Sequence, residues 1–312
     1  MSNETLFYPV HILLLLLVLT GCGGNGAGGS RVMTTTHSSS SAMSTSLSSS
    51  SRDLASSDIR YHRVASKVLG KNMGLAIYLP PGYNPVHRYP VLYIMYGYGG
   101  SEYSMFNNFM SVNRTADRMI AKGSMQPTIL VVPDYDNSFA VNSTAAQNPD
   151  SDGGTIGLYE DYLIKEIIPY VDRNFSTDND RTARFIEGYS MGGFATLYLG
   201  FNYPELFSKI GAHSSALWDY SSSDMFIGQR DWLYSNAELR ARRDPFLLAQ
   251  SQDLRNIDIY LDVGTRDPLL GVNQRFYQHL LKQGIRVQWH NNAGAHSAVY
   301  WNENTENYFR FY

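Results

Sequence analysis

The sequence predicts an α/β fold with a mostly parallel, doubly wound sheet and helices on both faces. Three observations predict it. Short β-rich runs alternate with segments of helical spacing from Ile59 onward. The run Ile257 to Val263 reads as a strong buried strand, apolar at five of its seven positions. The peptide Gly188-Tyr189-Ser190-Met191-Gly192 lies between such a run and a helical segment, where a sharp strand-to-helix turn is expected.

The elements follow in order. Arg60 to Leu69 and Gly74 to Leu79 read as strands, the second stopped by Pro80-Pro81-Gly82. Pro90 to Met95 and Thr128 to Val132 are short β-rich runs. Tyr159 to Asn174 has helical spacing through Tyr162, Leu163, Ile167 and Ile168, with Pro169 expected to kink it or end its first part. Strand Ala183 to Glu187, helix Gly192 to Asn202 and strand Ile210 to Ser214 come next. Helix Asn273 to Gln283, strand Val287 to Asn291 and helix Ser297 to Tyr308 follow the Ile257 run.

The amino-terminal region differs in texture. Ile12 to Leu19 is an unbroken apolar run, too short to span a bilayer and suited to a signal-peptide core. Leu19-Thr20-Gly21-Cys22 follows and resembles a bacterial lipobox, although no Lys or Arg precedes it. This predicts a lipoprotein signal over 1–21 and lipidation of Cys22, the chain's single cysteine, with the protein held at the cell envelope. Residues 22–57 are rich in Gly, Ser and Thr and read as a disordered tether with a reach of roughly 30–35 Å. Residues 58–312 suit one catalytic domain. The formal net charge of −3 offers no basic field for nucleic acid.

The candidate chemistry centres on Ser190. A strained turn lifts its hydroxyl out of the sheet, glycines avoid clashes, and the following helix N-terminus offers free N–H groups. A serine nucleophile needs a base. His213, His279 and His290 read as packed or surface residues, whereas His296 lies in a loop between the last strand and the last helix. Chemistry in doubly wound sheets gathers at such carboxyl ends, so His296 is the candidate base. Asp267, just past the end of the Ile257 strand, is the candidate orienting acid, with Asp262 inside that strand as runner-up. Candidate oxyanion donors are the backbone N–H of Met191 and that of Tyr98 in Tyr96-Gly97-Tyr98-Gly99-Gly100. Tyr103, Trp218 and Trp232 are candidate substrate-binding residues, within a wider aromatic set of Tyr98, Phe106, Tyr220, Phe226 and Tyr234. Asp150 to Gly154 faintly echoes a calcium loop but lacks its ligand spacing and reads as a turn. No Cys/His cluster suggests a metal.

Many short motifs in one order resemble the esterase D and feruloyl-esterase branch of the α/β-hydrolases, which includes the mycolyltransferases. They are Tyr78-Leu79-Pro80-Pro81-Gly82-Tyr83, Pro90-Val91-Leu92-Tyr93, the Gly97 to Ser101 turn and Val132-Pro133-Asp134. Glu166-Ile167-Ile168-Pro169-Tyr170, the Gly188 to Gly193 turn and Tyr203-Pro204-Glu205-Leu206-Phe207 continue the series. Gly264-Thr265-Arg266-Asp267 and the Gly294 to His296 turn with Trp301 complete it. The resemblance implies the α/β-hydrolase fold and a cofactor-free serine carboxylesterase. Two departures are Tyr96-Gly97, where family members carry His-Gly, and Trp218 to Gln250, which looks like an insertion over the site, either a cap or a packed surface subdomain. Feruloyl esters, acetylated sugars, siderophore esters and simple acyl esters all remain open as substrates. An acyltransferase using the same three residues and a non-catalytic envelope binding protein are the alternatives.

Overall fold

The computed structural model describes residues 56–107, 110–148 and 153–312. The expected signal, the tether up to residue 55, Cys22 and most of the Asp150 to Gly154 turn lie outside the described residues. Among the described residues the strands form one eight-stranded sheet: β1 Asp58–Ser66, β2 Lys71–Leu79, β3 Val91–Met95, β4 Ile129–Pro133, β5 Arg184–Tyr189, β6 Lys209–His213, β7 Asp258–Gly264 and β8 Val287–Asn292.

The order across the sheet is β1-β2-β4-β3-β5-β6-β7-β8. β1 and β2 form an antiparallel pair and β2 is antiparallel to β4; the rest of the sheet is parallel. β3, β4 and β5 are buried along their whole length, which is why they read as compact apolar runs rather than alternating ones. The chain winds outward from β3 to β4 and then crosses back to β5 on the other side of β3. Ligands in such sheets bind outside the carboxyl ends of the strands at this reversal. The Tyr96 turn after β3 and Ser190 after β5 stand there.

The helices are α1 Val112–Ala121, α2 Tyr159–Asp161, α3 Ile168–Asn174, α4 Met191–Asn202, α5 Ile227–Leu233, α6 Ala237–Arg243, α7 Pro245–Ser251, α8 Leu270–Lys282 and α9 Ala298–Phe311. α4 packs across β5 and β6 and is buried on almost every side, so it carries no amphipathic stripe. Between α2 and α3 the residues Tyr162–Ile167 adopt a π-helix. Pro169 has no N–H to continue an α-helical ladder, and its ring crowds the preceding turn. The wider π turn accommodates this, with the Ile168 N–H reaching back to the Leu163 carbonyl. The expected kink is therefore a π segment that ends next to Pro169. The first strand stops at Ser66, three residues before its expected end, because residues 67–70 form the turn into β2.

Candidate active site

β5 ends at Tyr189 and α4 begins at Met191, leaving Ser190 in the turn between them. Its φ of 58° and ψ of −113° are unfavourable for a residue with a side chain, at a cost of about 1–3 kcal/mol. Neighbouring backbone holds the strain. The Ser190 N–H donates to the His213 carbonyl at 2.9 Å, and the Ser190 carbonyl accepts from Phe194 and Ala216 N–H groups at 3.1 and 3.0 Å. Strand and helix meet too closely for side chains beneath the turn. A Cβ on Gly188 would stand 2.3 Å from the Gly192 carbonyl oxygen, and one on Gly192 would stand 2.0 Å from that of Met95.

His296 lies between β8 and α9, and Asp267 between β7 and α8. The two loops are tied together. Thr265 N–H donates to the Asn292 carbonyl at 2.8 Å, and Arg266 N–H to that of Gly294 at 2.7 Å. Ser190, His296 and Asp267 converge. The His296 Nδ1 is 2.9 Å from Asp267 Oδ2, and its Nε2 is 2.9 Å from Ser190 Oγ. An ionised carboxylate only accepts hydrogen bonds, so Nδ1 carries the proton and Nε2 is left to accept from the serine hydroxyl. The other Asp267 oxygen accepts from the Leu269 N–H at 2.8 Å, and the side chain is fully buried. The His296 ring stands edge-on to Trp301, 5.1 Å between centroids, and Trp301 donates its indole N–H to Ser214 Oγ at 3.1 Å.

Asp262, the alternative acid, is held elsewhere. It faces His213 across the β6–β7 register and accepts from His213 Nδ1 at 2.6 Å, Tyr300 Oη at 2.6 Å and Tyr308 Oη at 2.8 Å. All of these side chains are buried beneath the site. His290 stacks on Tyr260, and the His279 ring bonds to the Phe246 carbonyl, so neither stands beside Ser190.

A cavity of about 100 Å³ opens beside Ser190, lined by Tyr98, Phe139, Met191, Ala216, Trp218, Phe226 and Gln229. The turn after β3 borders it, since a Cβ on Gly97 would lie 3.7 Å from Ser190 Cβ. Gly99 N–H donates to Asn137 Oδ1 at 2.7 Å and Gly100 N–H to the Gly97 carbonyl at 3.0 Å, which braces that turn. Tyr96 supports it from below. Its hydroxyl donates to Asp134 Oδ1 at 2.6 Å and accepts from the Tyr135 N–H at 2.8 Å. Burial pushes the Tyr96 phenol far above its ordinary value, so it stays a neutral donor to that carboxylate.

The model of the esterase family matches residues 66–310. The chain belongs to that family. The family match agrees with the resemblance read from the motifs. Among curated proteins the chain is similar to an endo-1,4-beta-xylanase/feruloyl esterase of Xylanibacter ruminicola, at 32% identity over 166 residues, 51% of this chain and 22% of that protein. It thus spans about a fifth of that relative's length. An acetyl esterase of Caldicellulosiruptor saccharolyticus is 24% identical over 273 residues, 79% of this chain and 94% of the relative. Among solved structures, a ferulic acid esterase superposes with a TM-score of 0.69 at 23% identity, covering 83% of this chain and 98% of that one. An S-formylglutathione hydrolase from Staphylococcus aureus gives 0.63 at 19% identity, covering 82% and 96%. These likenesses establish the α/β-hydrolase fold.

The cavity differs from the expected aromatic set. Trp218, Phe226 and Tyr98 line it. Tyr103 does not: it is half exposed and stacks on Tyr61 of the edge strand β1, 4.8 Å between centroids. Trp232 is a buried residue behind the wall, its ring centroid 6.3 Å from that of Phe139. Phe106 packs on Tyr78 instead of the pocket. Phe139 is a wall residue that the sequence reading missed. It follows β4 in a loop where Asp136, Phe139 and Ala140 all have positive φ, a conformation no local motif announces. Its position past the carboxyl end of a strand beside β3 is the one signal available from sequence.

Proposed function

We propose that this chain is a serine carboxylic-ester hydrolase working through an acyl-enzyme on Ser190. The observation that carries the reading is the Ser190–His296–Asp267 relay, with both links at 2.9 Å. His296 takes the serine proton as Oγ attacks the ester carbonyl, and Asp267 stabilises the imidazolium that forms. The tetrahedral oxyanion is held by the N–H of Met191, at the start of α4, and by that of Tyr98, in the turn beside Ser190. His296 then protonates the leaving alcohol, and water attacks the acyl-enzyme by the same route. The apolar cavity beside Ser190 and relatives named feruloyl esterase and acetyl esterase support an aromatic or short acyl ester as substrate, on a sugar or a simple alcohol.

Ser190→Ala tests the reading. It is expected to abolish hydrolysis of 4-nitrophenyl acetate, a fall of about 10³-fold or more, with an unchanged melting temperature. Retention of a tenth of the parent rate, or failure of a fluorophosphonate to label Ser190 in the parent, overturns it.

We further propose a lipid anchor at Cys22 facing the periplasm or exterior, supported by Leu19-Thr20-Gly21-Cys22 and the Gly/Ser/Thr-rich segment after it. Cys22→Ala is expected to move the protein from the membrane to the soluble fraction; retention in the membrane argues against the anchor.

A further inference from the structure

The inner cavity is too small to enclose a large ester. At about 100 Å³ it is well below the roughly 300–1,000 Å³ of sites that enclose a whole drug-sized ligand. What extends beyond it meets the surface next to the mouth, and that surface is apolar. Met225, Phe226 and Ile227 are consecutive and 39%, 45% and 50% exposed, and Tyr98 is 48% exposed. Phe226 and Tyr98 belong to both regions, lining the cavity while lying open to solvent. Three exposed apolar side chains in a row are costly unless something covers them.

The strip is held in place. Asp224 accepts from the Tyr220 N–H at 3.0 Å and pairs with Arg230 at 3.2 Å. Arg275 on α8 pairs with Asp219, and the Trp218 indole N–H donates to the Met225 carbonyl. The charged groups flanking the strip are thus occupied with one another, and its surface is left to Met225, Phe226 and Ile227. Phe226 sits at φ 55° and ψ 47°, left-handed backbone that a side-chain-bearing residue adopts at a cost. That cost is spent on a ring placed at the cavity mouth.

We propose that Met225-Phe226-Ile227, with Tyr98, form an outer subsite for an apolar chain of the ester, continuing the inner cavity. The proposal rests on Ser190 acting as the nucleophile. The chain is carried by either the acyl half or the alcohol half, and the two are separated by experiment. A fully buried methylene gains about fourfold in affinity, so a half-covered one on this strip gains about twofold.

The test uses the full-length protein and two ester series below their critical micelle concentrations. In the acyl arm, 4-nitrophenyl acetate, butyrate, hexanoate and octanoate are compared. In the alcohol arm, ethyl, butyl and octyl acetate are followed by acid release. The expected result is a rise in kcat/KM of roughly tenfold from four to eight carbons in one arm, mostly through KM, which identifies the half that carries the chain. Met225→Ser with Ile227→Ser is expected to lower the eight-carbon to two-carbon ratio in that arm by about tenfold. Both positions are exposed, and a thermal melt checks that the fold is kept. Met225→Leu with Ile227→Leu is expected to retain the ratio. A ratio unmoved by the serine variant overturns the proposal, as does a decline beyond four carbons in both arms. So does a shift from dimer to monomer on gel filtration with no change in ratio, which makes the strip a self-interface instead. Fluorophosphonate labelling of Ser190 separates the two levels: a labelled enzyme lacking the chain-length effect refutes the outer subsite alone.

Discussion

Among the described residues, two histidine–aspartate pairs lie on or just past neighbouring strands, and they have opposite surroundings. His296 and Asp267 stand in loops past the ends of β8 and β7, 2.9 Å apart, with a serine hydroxyl and a cavity on the other side of the ring. His213 and Asp262 stand inside β6 and β7, 2.6 Å apart, and are sealed. The far nitrogen of His213 faces Glu187 at 3.8 Å, and tyrosines 300 and 308 complete the Asp262 shell. Pair geometry alone therefore does not mark a candidate catalytic pair. What separates the two is the group the second ring nitrogen meets: a half-buried hydroxyl beside a cavity in one case, a buried carboxylate in the other. The sealed pair anchors parts of the open one. Asp262 bonds the strand residue whose carbonyl takes the Ser190 N–H, and it bonds Tyr300 four residues after His296.

The sharpest way to break the comparison is to exchange one carboxylate at a time. Asp267→Asn is expected to lower kcat by about 10⁴-fold, because the amide favours the wrong imidazole tautomer, while the melting temperature stays within a few degrees. Hydrolysis of 4-nitrophenyl acetate and a thermal melt measure both. Asp262→Leu reverses the emphasis. It strips His213, Tyr300 and Tyr308 of their acceptor and leaves a buried imidazole facing Glu187, at an expected cost of about 3–5 kcal/mol in unfolding free energy by urea titration. A variant as stable as the parent would show that the sealed pair is dispensable.

The two pairs also respond differently to pH. Burial disfavours the His213 imidazolium, but the Asp262 and Glu187 carboxylates outweigh it and hold its pKa up at about 9. A folded pKa above the unfolded value of about 6.5 means the stabilisation is fully present below pH 6.5 and lost as pH rises through 9. Unfolding free energy is expected to fall by on the order of 3 kcal/mol between pH 6 and pH 10, and His213→Gln is expected to flatten that slope. The smallest effect belongs to Tyr103→Ala. Since Tyr103 stacks on Tyr61 instead of lining the cavity, kcat/KM for any ester of the panel is expected to change less than about twofold.

The core of the site was legible because it is written in local motifs whose meaning depends on strand ends. The Gly188 to Gly192 peptide requires small residues where strand and helix nearly touch. Asp267 was separable from Asp262 because one follows its strand and the other lies within it. The pocket was harder. Tyr103 and Trp232 share the chemistry of Trp218 and Phe226, and nothing in their sequence surroundings says which way each faces. Phe139 enters the wall through a loop of positive-φ residues. The π segment before Pro169 was visible as a break in a helix, but its form depends on how a helix absorbs a missing donor.

Taken by itself, the chain determined the alternation of strands and helices, the strained serine turn, and which loops carry an imidazole and a carboxylate. These depend on interactions between residues a few positions apart: burial of strand runs, steric limits at glycine, and backbone donors at a helix start. Only the tertiary structure decided that Ser190, Asp267 and His296 meet within hydrogen-bond distance, that His213 and Asp262 close on each other in the core, and that Phe139 and Phe226 wall the cavity. Those contacts join residues far apart along the chain. They are set by the order of strands in the sheet and by close packing, which no short window of sequence encodes.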